Sequence, residues 1–144
     1  MSNDTIAARC AQAMYKNDDA SRMLGIEVAV EDAGRATARM RVRQDMLNGF
    51  DVCHGGLIFS LADTAFAFAC NGYGSLTYAA QADIDFLRPA HLNQRLTAEA
   101  IEGNRSRRLG MYDVIVTNDE GEKVCHFRGR TYGVRGSVTA GPEQ

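Results

Sequence analysis

At 144 residues, with 45% apolar and 24% charged side chains, the chain has the length and composition of one compact domain with a sizeable core. A formal charge of −2 and a sequence pI near 5.9, with mixed signs and no basic block, argue against a general nucleic-acid binder and favour small molecules or proteins as partners. Residues 1–10 lack the apolar stretch of a signal peptide and the longest uninterrupted apolar run, 65–70, is far too short to span a membrane, so a cytoplasmic protein without membrane contact is expected.

Residues 4–22 read as a polar-faced helix packed on the outside of the fold, with Ile6, Cys10, Ala13 and Met14 near helical spacing. Gly25 ends it. Ile26, Val28 and Val30 then alternate with Glu27, Ala29 and Glu31. After a turn at Asp32-Ala33-Gly34, Ala36, Ala38, Met40 and Val42 alternate with Arg35, Thr37, Arg39, Arg41 and Arg43. This period of two predicts a hairpin with one wet face. An almost wholly apolar helix follows over 55–70 and breaks at Asn71-Gly72-Tyr73-Gly74. A long strand is predicted over 76–87, stopping at Arg88-Pro89 because proline cannot donate to a ladder. Strands over 95–102, 109–117 and 122–134 come next, with turns at Gly103-Asn104 and Asn118-Asp119-Glu120-Gly121, and residues 136–144 are expected to fray. The order is helix, two strands, long helix, four strands, without repeats or linkers. It describes a single α+β domain over 1–144, most economically an antiparallel sheet wrapped around the central helix.

The stretch Asn48-Gly49-Phe50-Asp51-Val52-Cys53-His54-Gly55-Gly56 leads straight into that helix. Gly55 and Gly56 leave the first backbone N–H groups unobstructed, where a helix has donors without partners and a partial positive charge. Such an end can hold a carbonyl oxygen as it becomes an oxyanion. The same glycines also permit close packing of helix on sheet. Within the helix only Ser60, Asp63 and Thr64 are polar, so Asp63 is an ionisable acid on a surface made for burial, a placement that costs stability and suggests a task. A buried acid capping a neighbouring element is the alternative. The cysteines, at 10, 53, 70 and 125, form no CxxC pair and read as reduced thiols; Cys53-His54 and Cys125-His126 lack the spacing of a metal site, so no metal is expected. Cys53 and His54, as chain neighbours, point apart and make a poor nucleophile and base pair.

The string Asn48-Gly49, four residues, His54-Gly55-Gly56, three residues, Ser60-Leu61-Ala62-Asp63-Thr64-Ala65 resembles the signature of the hotdog-fold acyl-CoA thioesterases, phenylacetyl-CoA branch. Met14-Tyr15 with Asn17-Asp18, Leu24-Gly25-Ile26 and Asp85-Phe86-Leu87-Arg88-Pro89 extend the likeness over residues 9–135. The resemblance implies a hotdog fold and hydrolysis of an acyl-CoA thioester without cofactor, by a homodimer or a homotetramer built from dimers. Carried over by position, Gly55 polarises the thioester carbonyl, Asp63 is the catalytic carboxylate, and Asn48 and His54 orient water and line the carbonyl site. Gly56, Thr64, Leu47 and Phe50 would contact substrate, with Phe59 and Tyr78 as further apolar wall for an aromatic acyl group. Some relatives carry a water-holding hydroxyl on the strand after the helix, where this chain has Ala79 and Ala80; Thr64 or Gln81 would have to serve instead. Arg105, Arg107 and Arg108, or Arg128 and Arg130, are candidate contacts for the CoA phosphates. A hotdog hydratase or dehydratase using His54 and Asp63, and a non-catalytic acyl-CoA sensor, are the competing readings.

Overall fold

The computed structural model describes residues 5–143. Thr5 opens the first helix, α1 (Ile6–Lys16), its hydroxyl accepting the Ala8 N–H at 3.0 Å. The single helix predicted over 4–22 is in fact two, and residue 4 lies outside the described residues. Asn17 closes α1, and Asp18 starts a short α2 (Asp19–Met23) by accepting from the Ser21 N–H at 3.0 Å and the Ser21 hydroxyl at 2.7 Å. A side chain that bonds the backbone just ahead of it competes with helix continuation, and the run breaks there.

β1 (Glu27–Ala29) and β2 (Arg35–Arg41) form the expected hairpin, though β1 is shorter than the alternation over 26–31 suggests. A short 3-10 turn at Gln44–Met46 leads through the loop at 47–53 into α3 (Gly55–Cys70), followed by β3 (Ser75–Phe86), β4 (Arg95–Arg105), β5 (Leu109–Thr117), β6 (Lys123–Ser137) and β7 (Gly141–Pro142). Two expectations are corrected. Gly103-Asn104 is an irregularity inside β4, where the register with β5 shifts, and the chain reverses only after Arg105. The tail from Gly136 does not fray, because β6 runs on to Ser137 and β7 pairs back onto it.

The sheet is antiparallel throughout and ordered β1-β2-β4-β5-β6-β3, with β7 on β6. Its inner face, including Ala38, Met40, Leu96, Ala98, Val114, Val116 and Phe127, closes around α3, which packs on β2, β3, β4, β5 and β6. This is the hotdog architecture. Ile58, Leu61, Phe66 and Phe68 on α3 are buried, and side chains of this kind each contribute about 1.5–3 kcal/mol when fully removed from water. Buried Asn71 finishes the helix: its amide donates to the Ala67 and Thr77 carbonyls at 3.0 Å each, and its oxygen accepts the Thr77 N–H at 2.8 Å. The cap therefore stitches the end of α3 to the start of β3. None of the described helices is long and apolar enough to cross a membrane.

One position sets how deeply α3 can sit. Gly129 of β6 faces the Phe66 ring so closely that a Cβ there would lie 2.5–2.7 Å from three ring carbons. Gly129→Ala should therefore push Phe66 off its seat and lower stability by about 1–3 kcal/mol, the usual cost of overpacking a core. A denaturant midpoint equal to that of the unsubstituted protein would show that the helix can lift without penalty.

Candidate active site

The loop ahead of α3 is closed on itself. A β-bridge joins Leu47 to Cys53, the Asn48 N–H donates to the Val52 carbonyl at 2.8 Å, and Asn48 Oδ1 accepts the Phe50 N–H at 2.9 Å. Asn48 thus does the work of a turn residue with its oxygen, while its NH2 has no partner among the described residues. Phe50 stands at the apex of this loop, 88% exposed, and lines neither cleft described below. Leu47 and Phe59 pack against the core, Phe59 edge-on to Phe127 at 5.3 Å between centroids.

The two glycines at the helix start do different things. His54 is the N-cap, and its Nδ1 accepts the Gly56 N–H at 2.9 Å, which leaves the ring proton on Nε2 in the neutral tautomer. The expectation that both amides are open is thereby corrected, since Gly56 is occupied from within the chain. Gly55 N–H has no partner among the described residues. It borders a cleft of about 400 Å³ walled by Ile58, Phe86, Leu87 and Pro89. A Cβ on Gly55 would lie 3.3 Å from the Phe86 ring, so the ring rests on the glycine. Phe86 has no role in the sequence reading, although the Asp85-Phe86-Leu87-Arg88-Pro89 string marks its position.

Asp63 opens into a different cavity, of about 330 Å³, bounded by Met14, Phe66, Ala67, Tyr78, Ala79 and Val138 among others. Its carboxylate makes no hydrogen bond or ion pair among the described residues, and burial pushes its pKa above the ordinary aspartate value. The Thr64 hydroxyl beside it donates to the Ser60 carbonyl at 2.7 Å, so it can accept from a water but not donate to one. Gln81 is in register with Arg130, beyond a bulge that turns it to the opposite face from Ala79, so it is not brought to the carboxylate. Tyr78 and Ala79 do line the cavity, joined by Met14, which the sequence placed only in the outer helix, and Val138, which it placed in a fraying tail.

Gly55 and Asp63 are eight residues apart, about 12 Å at 1.5 Å rise per residue, and they face separate clefts. The thiols do not compete as nucleophiles: burial pushes Cys53 up to about 11 and Cys70 up to about 12, and the Cys53 thiol points at the His54 carbonyl oxygen. Among the suggested phosphate contacts, Arg128 is committed to Asp113 at 3.1 Å.

The thioesterase superfamily profile matches residues 50–125. The chain belongs to that superfamily. It is 43% identical over 129 residues, 90% of this chain and 92% of the relative, to the acyl-coenzyme A thioesterase PaaI of Escherichia coli K12. The solved structure of that thioesterase, from the phenylacetic acid degradation operon, superposes with a TM-score of 0.90 at 42% identity, covering 92% of this chain and 96% of the other. A hypothetical thioesterase from Streptococcus pneumoniae TIGR4, solved with coenzyme A, gives a TM-score of 0.72 at 25% identity over 76% of this chain and 85% of its own.

The unpartnered carboxylate of this thioesterase has a stability signature. A folded-state pKa above the unfolded value means that the native state holds its proton more tightly, so Asp63 withdraws stability as pH rises from the ordinary 3.8 through the raised value. Asp63→Asn should therefore be more stable than the unsubstituted protein at neutral pH, and the gap should close on acidification below the ordinary value. Denaturant midpoints at the two pH values check this, and an Asn variant that is less stable at neutral pH would point to an unseen partner for the carboxylate.

Proposed function

We propose that the protein hydrolyses acyl-CoA thioesters, with phenylacetyl-CoA or a ring-hydroxylated relative as the acyl class, at sites shared between the two subunits of a homodimer. The observation that carries this reading is the Asp63 carboxylate, half-buried and unpaired in an apolar cavity. Raised basicity suits a general base at neutral pH. The ionised carboxylate takes a proton from a water, the water oxygen attacks the thioester carbonyl, and the Gly55 N–H stabilises the oxyanion. Collapse breaks the carbon–sulfur bond, and the CoA thiolate leaves and takes the proton that Asp63 removed from the water, which restores the carboxylate. His54, capping Gly56 through Nδ1, keeps the helix start open and offers Nε2–H to the carbonyl region, and the spare NH2 of Asn48 orients water beside it. Thr64 accepts from the water, while Met14, Phe66, Tyr78 and Val138 supply the apolar side of the Asp63 cavity. Likeness to the E. coli thioesterase supports the acyl class, and the coenzyme A in the S. pneumoniae structure supports the thiol half.

Sharing between subunits follows from reach. Oxyanion donor and attacking group must both lie within about 3 Å of one carbonyl, and a single α3 holds them about 12 Å apart. Two copies of α3 packed antiparallel about a twofold axis near Phe59 bring position 55 of one against position 63 of the other, giving two equivalent sites. The outer edge of β3, with exposed Tyr78, Phe86 and Leu87, supports such a partner. Exposed Ile101, Leu109 and Tyr132 supply further apolar surface for dimers to join into a homotetramer.

Asp63→Asn should lower kcat by about 10²–10⁴ with acyl-CoA binding largely retained, read by steady-state kinetics and calorimetry. Near-normal turnover would remove Asp63 from the mechanism. Mixing Asp63→Asn subunits with Gly55→Val subunits, each inactive alone, should restore one working site per mixed dimer; folded mixed dimers without recovered hydrolysis would refute the shared site.

A further inference from the structure

Past the C-terminal end of α3, away from Gly55, a small pocket of about 70 Å³ opens between the β4–β5 turn and strands β3 and β6. Arg105, Ser106, Arg107 and Arg108 form one wall, and Thr131 and Gly110 lie opposite. Thr131 is 3% exposed, yet its hydroxyl has no hydrogen-bond partner among the described residues. No fully occluded side-chain oxygen or nitrogen there goes unpartnered, so Thr131 Oγ1 must open into the pocket. A buried hydroxyl left without a partner is costly. Gly110 keeps the space clear, since a Cβ there would lie 2.7 Å from Thr131 Oγ1.

The wall opposite is ordered and cationic. The Arg105 guanidinium lies 3.7 Å over the Tyr73 ring, the Ser106 N–H donates to the Leu109 carbonyl at 2.8 Å, and the Gly133 N–H donates to the Arg108 carbonyl at 2.8 Å. Arg107 and Arg108 have no carboxylate partner among the described residues, and no acidic residue lines the pocket. Cys70, at its base, is held neutral by burial. Arginines and a free hydroxyl lining one pocket, with no carboxylate among them, match the oxygens of a phosphate. Cys70 and Thr77 wall both this pocket and the Asp63 cavity, so the two spaces adjoin.

We propose that the Arg105–Arg108 turn and the Thr131 hydroxyl bind a phosphate group of the substrate's nucleotide half, fixing the thioester at Asp63 from a distance. The assignment rests on the acyl-CoA reading above.

The test compares an acyl-CoA with the matching acyl-pantetheine thioester, which carries the same reacting group without phosphates. Arg107→Ala/Arg108→Ala should reduce the preference, in kcat/KM, for the CoA over the pantetheine thioester about tenfold, through KM. Thr131→Val, which deletes the hydroxyl with little change in volume, should reduce it in the same sense. ADP should compete with acyl-CoA in the unsubstituted protein, less well as salt is added, and should lose that ability in the double variant. An unchanged preference, or equal loss on both thioesters, overturns the phosphate site while leaving the hydrolase standing. If neither thioester is hydrolysed, the hydrolase reading fails, and calorimetric ADP binding that the double variant abolishes still upholds the site, whereas no ADP binding by the unsubstituted protein overturns it.

Discussion

The rest of the structure depends on how close α3 can come to the sheet. Phe66 lies between Phe127 and Tyr112, with centroids 5.6 and 5.7 Å away, over a strand whose residue 129 has no side chain. Aromatic pairs at such distances add about 0.5–1.5 kcal/mol beyond the area they bury, but only if backbone and ring can approach. The glycine grants that approach. With the helix seated at Phe66 and pinned at Asn71, its other residues have little freedom in where they point, and Gly55 and Asp63 inherit fixed positions from packing contacts that carry no chemistry of their own.

Two aspartates show how the same side chain is given opposite character. Burial alone acts on Asp63 and makes its carboxylate more basic. Burial also pushes Asp113 upward, but His126 at 2.9 Å and Arg128 at 3.1 Å outweigh it and hold the group below its ordinary value. Asp113 sits on the outer face of the sheet, where cationic neighbours are available; Asp63 sits half-buried on the inner helix, with no cationic residue lining its cavity. A carboxylate of raised basicity thus arises from denying it company, which a helix almost wholly apolar around it does without further design.

What patterning reveals here is local. The long helix could be read because its apolar run is bracketed by glycines and Asn71, and β5 because its alternation is unbroken from Leu109 to Thr117. The N-terminal break at Asn17-Asp18 was hidden because helical spacing persists across it; only the capping ability of Asp18 marks it. Pairing of β2 with β4 and of β3 with β6 joins segments far apart in the chain, and no local pattern encodes it. The motif string singled out Gly55, Asp63, His54 and Asn48 as candidates. It did not reveal that His54 occupies the Gly56 amide, because a side chain folding back on its own helix start leaves no periodic trace. Nor did it reveal Phe86 beside Gly55, a contact made only once the sheet curls.

The two edges of the sheet are unequal, and this bears on how the protein avoids uncontrolled association. At one end β3 offers 12 residues of backbone with a neighbour on one side only; at the other, β1 is 3 residues long. An open edge of the first kind invites another strand, and a sheet with two such edges can grow without limit. Here a second copy docking on β3 about a twofold axis would consume both long edges at once and leave only the two stubs of β1 facing outward. Self-recognition of that kind would stop at a finite count, and a strand that is otherwise an aggregation hazard would become a terminus for assembly.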